Sequence, residues 1–217
     1  MKLKKAILMI LTILPLAVIA VALIFLPDRI PVHYGTDLTV DRYGSKYELL
    51  ILPGVILVMG LVFLLADRLH MKDANRKLML DIELAFLLFF NALDYFLLYI
   101  QATETSDLNA VGFERFIMLG FGVFFIYLGN LMPMSRRNSL VGLRTVWSRK
   151  SDTVWKKSQL FGGASMMLLG AVDILLAFLF PNIFLFVGLL IAVAVIDTVY
   201  TYIAAKKDPH PDDAEEA

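Results

Sequence analysis

No cysteine occurs in the 217 residues, and only 18% of them are charged. The first absence excludes a disulfide framework, Cys-ligated zinc, an iron–sulfur cluster and a thiol nucleophile. HExxH and GxSxG patterns are missing too, and acids without a nucleophile–base arrangement make a weak catalytic site. The chain is therefore expected to be no enzyme and to hold no cofactor or metal. Formal net charge is zero, and direct nucleic-acid binding is not expected. The shortage of charge is matched by an apolar excess: 59% of the residues are hydrophobic, against about 45–50% in soluble domains.

That excess comes in blocks, each long enough for a hydrocarbon core that takes about 20 residues to cross. The blocks run about Ala6–Leu26, Glu48–Ala66, Leu80–Ile100, Val111–Met132, Gln159–Phe180 and Ile183–Ala205. In lipid a spanning backbone must satisfy its own hydrogen bonds, which predicts helices; the short alternating segments of a membrane barrel are not seen. The expected fold is an all-α integral membrane protein, a bundle of six transmembrane helices. Pro15 and Pro53 fall inside spans, where neighbouring groups can satisfy the freed carbonyls. Only Pro181-Asn182 separates the last two blocks, so they form a tight antiparallel hairpin. The first block follows Lys2, Lys4 and Lys5 and contains Ala20-Val21-Ala22, as a signal peptide would. Its apolar run exceeds the usual h-region of about 7–15 residues, so it is expected to be retained.

Cations fix the expected orientation. Lys2–Lys5, the 68–77 connection, the 136–157 segment and Lys206-Lys207 together hold 16 of the 20 Lys and Arg residues, all on one side. The other side has Arg29, Arg42 and Lys46, and Arg115 lies within a span. The positive-inside rule places both termini in the cytoplasm. Two sizeable polar connections remain: an extracellular loop at 27–47 and a cytoplasmic loop at 133–158. The 101–110 connection is short and acidic. The tail from 206 to 217 is too polar to pack and is expected to be disordered.

The cytoplasmic loop contains NSLVGLRTVWSRKSDTVWKK, Asn138–Lys157. Pro133 ends the fourth span, and Ser151 or Asp152 is a good N-cap for the fifth helix. Trp147 and Trp155 suit interfacial anchoring, which together with cytoplasmic cations accounts for the segment's composition. Its arrangement is more particular. GNLMP, NSLVGLRTVW and DTVW place Gly129, Asn130, Pro133, Asn138, Gly142, Arg144, Thr145, Trp147, Asp152 and Trp155 in a pattern that resembles the SdpI family of bacterial membrane immunity proteins. Members usually have Pro before the first Trp, where this chain has Val146. The 26–46 stretch, with Ile30, Pro31, His33, Asp41, Gly44, Ser45 and Lys46, resembles the uncharacterised N-terminal module that often precedes the SdpI-type half. Residues 1–79 are thus expected to form a two-helix module and residues 80–205 an SdpI-like four-helix half.

On physical terms, Ile30, Val32 and Tyr34 alternate with Pro31, His33 and Gly35, which predicts a short extended piece. Asp41-Arg42-Tyr43-Gly44 suits a type I turn. His33 with Asp28, Asp37 and Asp41 matches no standard metal spacing. Inside the spans, Asp94 and Asp173 lie roughly 9–10 Å below the outer boundary, and Glu114 and Arg115 roughly 5 Å, at ~1.5 Å per residue. Such groups are rare in lipid and face the bundle interior, so an Arg115 partner or protonation is expected. Asp81, Glu83, Asn130 and Asp197 form a second layer. Both layers are also what helix-register contacts would look like.

The resemblance implies residence in the bacterial cell membrane and protection against a secreted antimicrobial peptide toxin. It also implies a second partner, a cytoplasmic transcriptional repressor held at the membrane. His33, Tyr34 and Asp41, with Asp94, Arg115 and Asp173, would then sense toxin. Arg144, Trp147 and Trp155 would present a docking surface, with Asn130, Asn138 and Gly142 shaping its base. The alternative is a small transporter or proton-linked channel that uses the intramembrane acids.

Overall fold

The computed structural model describes residues 2–69, 73–138 and 141–208. Lys72 and the tail beyond Asp208 carry expectations stated above and lie outside the described residues. The described chain is helical, with one small hairpin. Helices α1 (Lys2–Ala22), α2 (Ile51–Leu69), α3 (Asp73–Ala102), α4 (Phe113–Leu131), α5 (Asp152–Leu179) and α6 (Ile183–Lys206) follow one another. All six are long and apolar enough to cross a membrane, as expected from the hydrophobic blocks. Helix α3 begins about two turns before its block, because DANRKLML continues a helical pattern beyond the apolar run. Helix α5 starts at the expected cap, with the Ser151 hydroxyl accepting the Val154 N–H at 3.1 Å. Asn182 caps α6 in the same way through Leu185.

The chain divides into two compact units. One holds residues 1–71 and 83–116, the other 72–82 and 117–217. In the first, Pro15 leaves the Leu11 carbonyl without its intrahelical donor. The buried Asn91 supplies one, its Nδ2 lying 2.9 Å from Leu11 O. In the second, α4 and α5 meet backbone to backbone. A Cβ added to Gly129 would lie 2.6 Å from Gly163 O, and one added to Gly122 would lie 2.8 Å from Gly170 O. Each helix thus contributes two glycines seven residues apart, close to two turns at ~1.5 Å per residue. Gly163 and Gly170 thus let the helices approach closely, whereas at Gly188 an added Cβ would meet nothing within 4 Å.

Between α1 and α2 the structure departs from expectation. Strands β1 (Arg29–Tyr34) and β2 (Val40–Ser45) pair as an antiparallel hairpin. The type I turn expected at Asp41–Gly44 is instead part of β2. The reversal falls at residues 35–39, where Gly35 N donates to Thr39 O at 2.8 Å and Leu38 takes a positive φ of 64°. Asp37 decides this: its carboxylate accepts from Thr39 N and Thr39 Oγ1 at 3.1 and 2.9 Å, a side-chain-closed turn. A 3₁₀ turn at Lys46–Leu50 then leads into α2, closed by a capping box between Ser45 and Glu48.

Candidate functional site

The first unit ends in a small cap. Register irregularities on either side of His33 leave Val32 and Asp41 without strand partners, and such bulges re-aim side chains. As a result His33 Nδ1 lies 2.6 Å from Asp41 Oδ1, with both side chains at least half exposed. The 103–112 segment adds to the hairpin: Val40 N donates to Ser106 O at 3.0 Å and Leu108 N to Leu38 O at 2.9 Å. Asn109 Nδ2 reaches Asp37 O, and Tyr34 Oη donates to Thr105 O at 3.2 Å. Gln101 Nε2 ties Pro31 O to the end of α3 at 3.0 Å. Burial pushes the Tyr34 phenol above its ordinary range, with Gln101 pulling the other way. The Thr39 donors hold the Asp37 carboxyl below its usual range. Lys46 fastens the strand end to the segment between α1 and β1, its Nζ 3.1 Å from both Leu26 O and Asp28 Oδ1. Ile30 fills the underside at 1% exposure, while Tyr43 and Tyr47 stand outward.

Deeper in this unit the α3 carboxylate Asp94 is 2% exposed, and its Oδ2 has no hydrogen-bond partner among the described residues. Tyr95 Oη and Asn91 Oδ1 share that condition. Arg115 stands exposed in the first turn of α4. In the second unit Asp173 on α5 is fully buried, with both oxygens unpartnered among the described residues. Asp197 on α6 differs, since Ser165 Oγ lies 2.7 Å from its Oδ1.

The 133–151 connection of the second unit is folded rather than draped. Asn138 is its knot: Oδ1 accepts Val141 N at 2.8 Å, and Nδ2 donates to Arg136 O at 2.6 Å. Gln159, buried in α5, grips Leu143 twice, accepting its N–H at 2.9 Å and donating to its carbonyl at 3.1 Å. Gly142 takes φ 101°, and a Cβ there would strike the Gln159 amide. Glycine is required on both counts. Thr145 and Ser148 exchange reciprocal bonds at 2.9 Å, and Thr145 Oγ1 donates to Thr201 Oγ1 of α6 at 2.8 Å. Trp147 meets Tyr202 edge to face, with ring centroids 5.4 Å apart.

Trp155 corrects an expectation. It was expected as an interfacial anchor and part of a displayed surface, but it is 2% exposed, and its Nε1 donates to Ser135 O at 2.8 Å. That bond satisfies an indole N–H that helix α5 carries into the core. Arg144 is exposed, as is Asn130 at the end of α4. The sequence reading missed Asn75, which forms a two-way bond with the Arg136 backbone at 3.1 and 3.3 Å. It also missed Gln159, whose only signal was an amide at the first position of an apolar run.

Two family descriptions match this arrangement. The SdpI/YfhL protein family matches residues 135–201, which take in the knotted loop, α5 and most of α6. The Immunity protein SdpI of Bacillus subtilis (strain 168) is 30% identical over 188 residues, covering 84% of this chain and 86% of that protein. The chain belongs to the SdpI/YfhL family. It is a multi-pass bacterial membrane protein. A domain of unknown function (DUF1648) matches residues 10–57, which span most of α1, the hairpin and the start of α2. An uncharacterised protein of Archaeoglobus fulgidus is 36% identical over 73 residues, 30% of this chain and 40% of its own length. No solved structure matches the chain. The SdpI-family pattern now has physical content, because Asn138, Thr145 and Trp155 each make a bond that holds the loop, and Gly142 fills a place that requires glycine.

Proposed function

We propose that this chain is a membrane immunity protein protecting its cell from a secreted, membrane-active antimicrobial peptide. The observation that carries the reading is the 30% identity, over most of both chains, to an immunity protein. Residues 1–79 are taken as the receiving module and residues 80–205 as the SdpI-like half. The receiving surface is the cap, where the His33–Asp41 pair, Tyr34 and the exposed Tyr43 and Tyr47 offer charge and amphipathic rings to a peptide. Asp94 and Arg115, in the same unit, and Asp173, in the other, would respond to it. A signalling role would use the 133–151 connection of the second unit, with Arg144 and Trp147 displayed on a base set by Asn138 and Gly142, and with Asn130 at the end of α4. A transcriptional repressor held there would be released or captured by a population shift, limited by the toxin's differential affinity for the two arrangements.

Survival of a toxin-sensitive strain expressing the chain, with and without peptide, tests the reading. Protection that drops at least about tenfold in His33→Ala/Tyr34→Ala, a loss of roughly 1.4 kcal/mol of binding, is the expected result. Killing unchanged by expression across a panel of such peptides would sink it. A small transporter or proton-linked channel is the second reading, favoured by the buried carboxylates of Asp94 and Asp173. Proton flux into vesicles that is abolished by Asp94→Asn would move the assignment there.

A further inference from the structure

Four cations converge at one end of the second unit. Ser151 Oγ donates to the Asp208 carboxylate, which sets Lys150-Ser151 directly beside Lys207-Asp208. Arg149, Lys150, Lys206 and Lys207 are all exposed there. Among the described residues the acids of this end are two: Asp152 Oδ1 holds Arg137 at 2.9 Å, and the Asp208 carboxylate, which accepts from Ser151, leaves one negative charge against the four cations. The cations cannot relax apart by moving the backbone. The Gln159 grip ties the loop to α5, the Thr145–Thr201 bond ties it to the last two turns of α6, and the Lys150 N to Trp147 O turn at 3.2 Å closes it on itself. Like charges held together in this way repel, and the repulsion falls when an anion sits among them.

The surroundings say which anion. Trp147 of the loop packs edge to face on Tyr202 of the membrane-spanning helix α6, one turn before Lys206. Such rings settle at headgroup depth. Val146, beside Trp147, is an apolar residue turned outward at 66% exposure. The edge is therefore apolar, then aromatic, then cationic, the profile of a bilayer from acyl boundary to phosphate. We propose that this edge binds anionic phospholipid headgroups, with Arg149, Lys150, Lys206 and Lys207 around the phosphate and Val146 and Trp147 against the upper acyl chains. This surface is separate from the peptide-receiving cap and does not depend on the immunity reading.

The protein carries its own probe. It has two tryptophans, and Trp155 is buried at 2% exposure, so lipid-borne quenchers report chiefly on Trp147. The full chain is reconstituted in mixed phosphatidylcholine and phosphatidylglycerol vesicles, with brominated chains on one lipid or the other at equal mole fraction. At low salt, bromine on phosphatidylglycerol should quench about twofold more than bromine on phosphatidylcholine, a modest enrichment for a polybasic edge. The preference should vanish in Arg149→Gln/Lys150→Gln and in high salt, and the quenching itself should be lost in Trp147→Phe. Equal quenching by the two lipids in the wild-type chain overturns the proposal. So does a preference that survives unchanged in the Arg149→Gln/Lys150→Gln protein or in Trp147→Phe.

Discussion

At the scale of single residues, the chain's polar side chains inside apolar helices serve the backbone. Pro15 lacks an N–H, so Leu11 O would be an unmet acceptor in a membrane interior without water. Asn91 meets it at 2.9 Å while also bonding Leu87 O at 2.7 Å. The two residues lie 76 positions apart in the sequence, so nothing local links them. Asn91→Ala should destabilise the protein by about 1 kcal/mol, the size of interhelical bonds in membranes. Pro15→Ala restores the N–H and should recover most of that loss, so the double mutant will be non-additive. Reversible unfolding in mixed micelles measures the four proteins, and strict additivity would refute the pairing. Gln159 has the same character, since one amide satisfies both backbone groups of Leu143.

At the scale of elements, the contact between α4 and α5 is set by what is missing from their facing surfaces. Gly122, Gly129, Gly163 and Gly170 bring carbonyl oxygens to within about a Cβ's reach of the opposite helix. In lipid, where apolar surface gives helices no reason to associate, such close packing is the main attraction. Gly129→Ala puts a methyl 2.6 Å from Gly163 O and 2.9 Å from Met167 Cγ. A rigid carbonyl cannot yield, so overpacking should cost about 1–3 kcal/mol. Gly188→Ala is the matched control, because its Cβ meets nothing within 4 Å, and its stability should stay within about 0.5 kcal/mol of wild type. Thermal unfolding in detergent compares them. Equal melting temperatures would mean that α4 and α5 do not touch at these glycines.

At the scale of the whole molecule, sidedness rests on two independent observations. The cation count assigns the connections alternately to two sides. Within the first unit the α1–α2 hairpin bonds the α3–α4 connection through Val40–Ser106 and Leu108–Leu38, so those two connections share a side. Within the second, Asn75 at the start of α3 bonds Arg136 in the α4–α5 connection, and Ser151 bonds Asp208 after α6. Even-numbered crossing satisfies all of these bonds at once. The cysteine-free chain makes the sign of the topology easy to measure. Thr36→Cys, exposed at the hairpin tip, should react with an impermeant maleimide on intact cells, whereas the exposed Lys157→Cys should react only after permeabilisation. The reverse pattern would exchange the sides of the proposed receiving and signalling surfaces.

Hydrophobic run length alone determined the six helices, because a lipid-spanning backbone has few ways to satisfy itself. The cap at Ser151, the tight α5–α6 turn and the pattern shared with the SdpI family were equally local and equally legible. Tertiary structure decided the rest. Trp155 has the composition of an interfacial anchor, yet it is buried because a carbonyl from the folded loop, Ser135 O, lies within reach of its indole. Asp41 and Gly44 spell a turn but lie in a strand, because Asp37 closes a better turn upstream. The 101–110 connection joins the hairpin through backbone bonds that no side-chain pattern encodes. The cation cluster at 149–150 and 206–207 exists because two pairs far apart in sequence are bonded, Ser151 to Asp208 and Thr145 to Thr201. Each of these outcomes depends on partners distant in sequence, and pattern along a chain carries no information about which distant groups will meet.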